Sequence, residues 1–144
     1  MIKEHYKKVR GVIGVKQETI QSSFDYIQLA KRGIRANSIA NFSRKFNLNK
    51  EATASLLDIS EPTLYRWLKN NKNLDRNFAV KLLEITDVFI YGVEVFKNKE
   101  NFIKWLRLPN TSLGGMEPLE LLEYPTGISK VRDVLGRIEH GIFS

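Results

Sequence analysis

The chain has 144 residues, of which 42% are hydrophobic and 27% are charged, a balance typical of a folded protein rather than a disordered one. This length allows one good core or two small modules that share an interface. The absence of cysteine excludes disulfide bonds and thiolate chemistry, and no apolar run is long enough to cross a bilayer. The composition fits a cytoplasmic protein, and the basic N-terminus lacks the apolar segment of a secretion signal.

The net charge of +7 is unevenly distributed along the chain. Residues 1–50 contain 11 Lys and Arg against 3 Asp and Glu, residues 51–96 contain 5 against 7, and residues 97–144 contain 7 against 6. A basic first segment indicates a polyanionic partner. The alternative, of equal weight on charge alone, is a solvated basic face that only aids solubility.

Helical spacing of apolar residues predicts a mainly α-helical chain from the first third onward. Residues 1–32 are expected to form a basic, partly helical arm. Phe24 and Ile27 begin a helical stripe in "FDYIQLAKRGI" that continues at Ala30 or Ile34, and Gly33 is a plausible C-cap. The next predicted helix, through "IANFSRKF", has Asn37 or Ser38 as its N-cap and buries Ile39, Phe42 and Phe46.

The second half of the chain predicts three further helices. The first starts at Asp75 and continues through "VFIYGVEVF", although β-branched and aromatic residues also suit a strand. Asn98 is the predicted N-cap of the next helix, which ends at Pro109, and Thr126 precedes the last one. The predicted apolar stripes are Phe78, Leu82, Ile85 and Phe89 in the first helix and Ile128, Val131, Leu135, Ile138 and Ile142 in the last.

The stretch "KEATASLLDISEPTLYRWLKN" has the pattern of a DNA-reading helix-turn-helix. Two short helices that cross steeply need a small residue at their closest approach, and Ala54 supplies it. Asp58 stands where the tight turn requires positive φ, which Asp tolerates less well than Gly. Ser60 can cap the second helix, and Pro62 lies in its first turn. The residues predicted to fill the angle between the helices are Leu57, Ile59, Leu64 and Leu68.

The polar face of the second helix could enter the major groove. Arg66 is the best candidate for a bidentate contact to guanine, and basic side chains nearby suit phosphates. Glu61 is unfavourable near phosphates, and the alternative is a helical hairpin that binds no DNA. The candidate DNA-binding residues are Arg44, Lys45, Ser60, Glu61, Thr63, Tyr65, Arg66 and Lys69.

The segment "PNTSLGGMEPLELL" lacks the glycine and lysine spacing of a phosphate-binding loop. Taken alone, it is best interpreted as a connector in which Gly114 and Gly115 relieve backbone strain. The longer run "FIKWLRLPNTSLGGMEPLELLEYPTGISKVRDVLGRIEHG", however, resembles the C-terminal toxin-binding domain of the Xre/MbcA/ParS antitoxins, and "LLDISEPTLYRWL" resembles their degenerate helix-turn-helix. The resemblance covers roughly residues 33–144.

The resemblance implies a helix-turn-helix domain of the Xre/Cro type over residues 33–96 and a small helical toxin-binding domain over 97–144. It also implies a type II antitoxin without a cofactor. The partner would be a RES-domain toxin of the same operon that consumes NAD or transfers ADP-ribose, with its active-site cleft blocked by the antitoxin. The pair would also repress its own promoter through antitoxin dimers bound to operator DNA. Two departures from the family, Trp67 in place of a second Arg and Asp58 in place of the turn Gly, weaken the DNA-binding half of this expectation.

Residues for toxin binding are carried over from the matching positions or chosen near the C-terminus. Arg137, His140 and the Ser144 end are expected to enter or border the toxin cleft, because an NAD-using pocket accommodates phosphates and a basic side chain suits it. The alternative for Arg137 is an ion pair with Asp133, one turn away. Trp105 is more simply core beneath the loop, as are Leu106 and Leu108. The candidate set is Trp105, Pro109, Asn110, Leu113, Gly114, Gly115, Pro118, Arg137, His140 and Ser144.

No pattern of catalytic residues is recognisable, and an enzyme is not expected. The two histidines stand near opposite ends of the chain, outside any metal-ligand spacing. Two non-enzymatic alternatives remain open: a stand-alone helix-turn-helix regulator whose C-terminal domain only dimerises, and an interaction adaptor whose helix-turn-helix is vestigial.

Overall fold

The computed structural model describes residues 2–14 and 20–141, which are mostly helical and contain no strand. The first unit ends at Asp87 and the second begins at Val88, inside the longest helix. The predicted all-α architecture is confirmed. The helices are α1 (Ile2–Ile13), α2 (Phe24–Arg32), α3 (Asn37–Lys45), α4 (Lys50–Leu56), α5 (Glu61–Asn70), α6 (Arg76–Phe96), α7 (Lys99–Leu106), the 3-10 helix η1 (Thr111–Leu113), α8 (Pro118–Leu121) and α9 (Pro125–Glu139).

The N-terminal residues belong to the first unit, where the sequence suggested an arm. Helix α1 packs against α3, with Val9 and Ile13 buried in the contact. The hydroxyl of Ser38 donates a hydrogen bond of 2.9 Å to the carbonyl of Ile13, the last residue of α1. The apolar side of α1, together with this bond, accounts for the packing. Basic side chains such as Lys7 and Lys8 remain exposed on its other side.

A buried carboxylate ties α1 and α2 to α6. Asp87 is 4% exposed, and each of its oxygens has a partner. His5 Nε2 lies 2.9 Å from Oδ1, and the Tyr26 hydroxyl donates to Oδ2 at 2.6 Å. A charge in this position requires such partners, since burial without them would cost several kcal/mol, of the order of a lost charged hydrogen bond.

Helix α2 buries only the later part of the predicted stripe. Ala30 and, beyond the helix, Ile34 are buried as predicted, whereas Phe24 and Ile27 are 79% and 45% exposed and Tyr26 and Leu29 are buried instead. The start of the stripe was wrong because the hydroxyl of Tyr26 bonds to Asp87, and this orients the helix with its tyrosine inward. The C-cap at Gly33 is confirmed.

Helix α3 buries Ile39, Phe42 and Phe46 as predicted. Its predicted N-cap is wrong, because Asn37 and Ser38 both lie inside the helix and Ala36 occupies the cap position. The orphan N–H of Asn37 is instead satisfied from a distance, by the side-chain oxygen of Asn71 at 3.0 Å.

The second unit begins within α6, earlier than the 96/97 boundary expected from the sequence. The reason is aromatic packing: the ring of Phe89 meets that of Phe102 edge-on at 5.4 Å, and Phe96 lies 5.5 Å from Trp105. At Gly92 an added Cβ would lie within 2.1 Å of the Phe102 ring, so glycine allows this approach.

The remaining helices agree with the sequence apart from small shifts of their ends. Residues "VFIYGVEVF" are helical, and the Asn98 side chain caps α7 by accepting from Asn101 N. Helix α7 ends at Leu106, and α9 already includes Thr126. Ile142 lies outside the described residues. None of the described helices is both long and apolar enough to span a membrane.

Candidate functional site

The helix-turn-helix is formed by α4 and α5, which contact each other. Ala54, Leu57 and Leu64 are buried at their junction. Asp58 adopts φ = 56°, the left-handed conformation that the turn requires, and the next residue's N–H closes the turn on the Ala54 carbonyl at 3.0 Å. The sequence prediction for this turn is confirmed, with Ile59 and Leu68 only half-buried.

The start of α5 is fixed by a side-chain cap. Ser60 Oγ accepts a hydrogen bond from Thr63 N at 3.2 Å, and Pro62 occupies the first turn, as predicted. The Ser60 hydroxyl also contacts Thr63 Oγ1 at 2.9 Å. These two hydroxyls therefore hold the helix end in the free chain.

The exposed side of α5 carries the charged and aromatic candidates for DNA binding. Glu61, Tyr65, Arg66 and Lys69 are all exposed, with Tyr65 at 60%. Helix α3, which contacts α5, exposes Arg44 and Lys45, and the Arg44 guanidinium donates to Asn41 Oδ1 at 2.6 Å. The unit thus displays three or more basic side chains on neighbouring helices, and their roles in binding stay predictions.

Trp67 has a packing role that explains its departure from the family pattern. Its ring meets Phe78 edge-on at 5.0 Å, and the Lys72 ammonium lies 4.7 Å from its centroid. The indole therefore joins α5 to Phe78 in the first turn of α6.

Two backbone hydrogen bonds that join the segment after α5 to the segment between α2 and α3 were not predicted from the sequence. Asn71 is left-handed at φ = 44° and ends α5. Ala36 N donates to the Lys72 carbonyl and Leu74 N to the Ile34 carbonyl, both at 2.8 Å. Only the asparagine after a predicted helix hinted at them, since asparagine tolerates positive φ.

The loop between α7 and α8 is closed by a short antiparallel pairing of Asn110 with Met116. Asn110 N donates to the Met116 carbonyl at 3.0 Å, and Gly115 N donates to the Asn110 carbonyl at 2.9 Å. The Asn110 side chain accepts from Ser112 N and caps η1. One asparagine therefore organises both ends of the loop.

The other family-matched residues of the loop also have structural uses. Gly114 and Gly115 adopt φ = 68° and 82°, which disfavour any side chain. Leu113 and Pro118 are buried, and Pro109 is exposed. Gly127 permits a close approach of α9 to the end of α8, since an added Cβ would lie 1.8 Å from the Leu121 carbonyl oxygen.

Helix α7 contributes core residues to the second unit. Trp105 is half-buried with its ring stacked on Phe102 at 6.2 Å, and Leu106 is buried, as expected for core residues. Leu108 was expected in the core as well, and this is wrong: it is 59% exposed. The helix ends at Leu106, so Leu108 no longer follows the helical stripe.

The C-terminal part of α9 borders a shallow surface depression of about 630 Å³. The Arg132 guanidinium lies 5.3 Å from the Tyr91 ring centroid, and the Tyr91 hydroxyl donates to Glu139 Oε1 at 2.9 Å. Burial, together with this hydrogen bond, raises the pKa of Tyr91 to about 12. The lining residues are Tyr91, Arg132, Asp133, Gly136, Arg137 and His140.

Two predicted toxin-binding side chains thus lie at the same depression, Arg137 and His140, both exposed. His140 Nε2 is 3.8 Å from Glu139 Oε1. Ser144 lies outside the described residues. Within residues 2–14 and 20–141, no group of three or more acidic or histidine side chains is placed to hold a metal ion.

Two family models match separate parts of the chain. Residues 25–84 match the antitoxin Xre-like helix-turn-helix domain, and residues 92–141 match the antitoxin Xre/MbcA/ParS C-terminal toxin-binding domain. The chain therefore carries both domains that these antitoxin models describe. Neither matched model describes an enzyme: one is a helix-turn-helix domain and the other a toxin-binding domain, and the curated relatives are named antitoxins.

Three curated proteins to which this chain is similar are named antitoxins. A protein named Prs ADP-ribosylating antitoxin from Sphingobium is 25% identical over 132 residues, 85% of this chain and 83% of the relative. The antitoxin Xre of Yersinia enterocolitica is 45% identical over 47 residues, 33% of this chain and 32% of that protein. The antitoxin Xre of Photorhabdus laumondii is 31% identical over 65 residues, 44% of each chain.

Proposed function

We propose that this antitoxin neutralises a RES-domain toxin encoded in the same operon, as part of a type II system acting in the cytoplasm. The observation that carries the proposal is the match of residues 92–141 to a toxin-binding domain, on the same chain as a helix-turn-helix. The relative named for ADP-ribosylation, which aligns over most of its length, supports a toxin that uses NAD. The antitoxin itself needs no cofactor for this role.

Neutralisation is proposed to work by occlusion of the toxin's active-site cleft. The C-terminal turn of α9 displays Arg137 and His140, and neither side chain is buried in the antitoxin itself. The exposed guanidinium of Arg137 can form charge-assisted hydrogen bonds in a cleft that handles charged substrates, and the His140 ring can form further hydrogen bonds there. The loop closed by Asn110 and Met116 provides a second, rigid surface for the same partner.

The first unit is proposed to bind operator DNA as a homodimer and to repress the operon. Support comes from the exposed polar face of α5, with Arg66 and Lys69, and from Arg44 and Lys45 on the contacting helix α3. Phosphate contacts by such groups release counterions, so the binding should weaken steeply with salt.

Co-expression with the adjoining gene tests the toxin half of the proposal. The product of a neighbouring RES-domain gene, expressed alone, should stop growth and lower cellular NAD, and this antitoxin should restore both and co-purify with it. Growth arrest that persists with the antitoxin present, or a neighbouring product that never co-purifies, would contradict the proposal.

A further inference from the structure

The family-matched residues of the loop between α7 and α8 are largely engaged in building the loop. The Asn110 side chain is hydrogen-bonded to Ser112 N, while Leu113 and Pro118 are buried. Gly114 and Gly115 have no side chain to offer a partner. These residues explain the shape of the loop, but they leave open which side chains supply apolar contact.

Two large apolar side chains outside the candidate toxin-binding set are exposed at this loop. Leu108 is 59% exposed and Met116 is 39% exposed. Met116 pairs through its backbone with Asn110, and Leu108 lies two residues before that pair. The loop therefore displays both side chains from one short, hydrogen-bonded segment.

We infer that Leu108 and Met116 form the apolar contact through which the second unit binds its toxin, and this inference rests on the proposed function. Both lie within residues 92–141, the part of the chain that matches a toxin-binding domain. Burying them against a partner removes apolar surface from water, and the flexible thioether of Met116 suits an irregular crevice. A loop already closed by hydrogen bonds loses little conformational entropy when it binds a partner.

The surroundings of Leu108 specify the partner further. Lys104 and Arg107, on the last turn of α7 and just after it, are both exposed beside it in the sequence. On the Leu108 side, these cations are complementary to an apolar crevice with carboxylates beside it, whereas the acidic Glu117 follows Met116. The toxin surface that receives this loop therefore has that composition.

The test uses the full chain and the purified RES-domain product of the adjoining gene. Isothermal titration calorimetry compares the wild type with Leu108→Ser, Met116→Ser and the double variant. Each single change should weaken binding by about tenfold and the double change by about a hundredfold, the scale of interface hot spots. Because both side chains are largely or partly exposed, thermal unfolding by circular dichroism should be nearly unchanged.

The matched control is Phe24→Ser, which removes an apolar side chain that is 79% exposed in the first unit. It should leave the affinity unchanged, which separates a specific contact from a general effect of surface polarity. Arg107→Glu gives a second readout that does not depend on the apolar side chains. It should slow association, and the effect should shrink at high salt.

The outcomes separate the inference from the proposal beneath it. A wild-type chain that does not bind the toxin overturns the proposed function. If the wild type binds, a loss of less than about tenfold in the double variant overturns the inference and leaves the function standing. A loss of about tenfold or more with unchanged unfolding supports the inference.

Discussion

At the scale of single residues, Asp87 illustrates how one buried charge fixes long-range structure. Its carboxylate is hydrogen-bonded to His5 of α1 and to Tyr26 of α2, each more than 60 residues away in the sequence. Spacing in the sequence cannot reveal such a contact, because neither partner is a helical neighbour of Asp87. The orientation of α2 that the sequence missed follows from this one group.

The first prediction concerns that carboxylate. Asp87→Asn should destabilise the chain by about 1–3 kcal/mol, because an amide offers one acceptor oxygen where two donors now converge. Urea unfolding followed by circular dichroism measures the change. Asp133→Asn, at an exposed position, is the control and should stay within about 0.5 kcal/mol of the wild type. An Asp87→Asn variant as stable as the wild type would contradict the proposed network.

Tyr91 gives a prediction with a pH dependence. Its pKa is raised from 10.0 to about 12, so the folded state favours the neutral phenol. The resulting stabilisation is fully present below pH 10 and is lost as the pH rises through about 12. At pH 11 the tyrosinate absorbance of Tyr91→Phe should therefore nearly equal that of the wild type. A loss equivalent to one tyrosinate in the variant would show that Tyr91 ionises normally.

At the scale of helices and turns, the caps of α5 and α7 and the left-handed turn were predictable, whereas the N-cap of α3 and the end of α7 were not. Ser60, Asn98 and Asp58 act as the sequence indicated, because a cap or a left-handed turn depends on neighbours within a few residues. Leu108 lies outside the core because α7 ends two residues earlier than its stripe suggested. The family resemblance of the loop between α7 and α8 followed from the order of its residues, whereas the exposure of Leu108 and Met116 is visible only in the structure.

Helix α9 provides two glycines with opposite expected responses to alanine. At Gly127 a Cβ would meet the Leu121 carbonyl at 1.8 Å, and this backbone atom cannot move away without shifting α8. Gly127→Ala should thus cost more than about 2 kcal/mol, as overpacking does in well-packed cores. At Gly136 the nearest atom is the Tyr91 hydroxyl at 3.7 Å, an ordinary contact.

The control variant Gly136→Ala should stabilise the chain by about 0.5–1 kcal/mol, the difference in helix propensity between the two residues. Thermal and urea unfolding of the full chain measure both variants. Equal effects of the two changes would mean that the close approach of α8 to α9 contributes nothing to stability.

At the scale of the whole molecule, the net charge differs between the N-terminal and C-terminal parts of the chain. The first 50 residues carry 11 basic against 3 acidic residues, whereas residues 97–144 are nearly balanced at 7 against 6. The two family models likewise match non-overlapping stretches, 25–84 and 92–141. If each half has its own partner, damage to one should spare the activity of the other.

The last prediction is a double dissociation between DNA binding and toxin binding. The double variant Arg66→Ala/Lys69→Ala removes two exposed cations from α5. Its affinity for the upstream promoter, measured by fluorescence anisotropy, should fall by about tenfold or more, and this affinity should depend less steeply on salt. Growth rescue should persist in this variant. Deleting residues 137–144 removes Arg137 and His140 and should abolish rescue while promoter binding remains, because this change lies outside the helix-turn-helix match. Rescue by the truncated chain would show that these residues have no role in the toxin cleft. Promoter binding that changes neither with salt nor with the α5 substitutions would show that α5 is not the DNA-contacting helix.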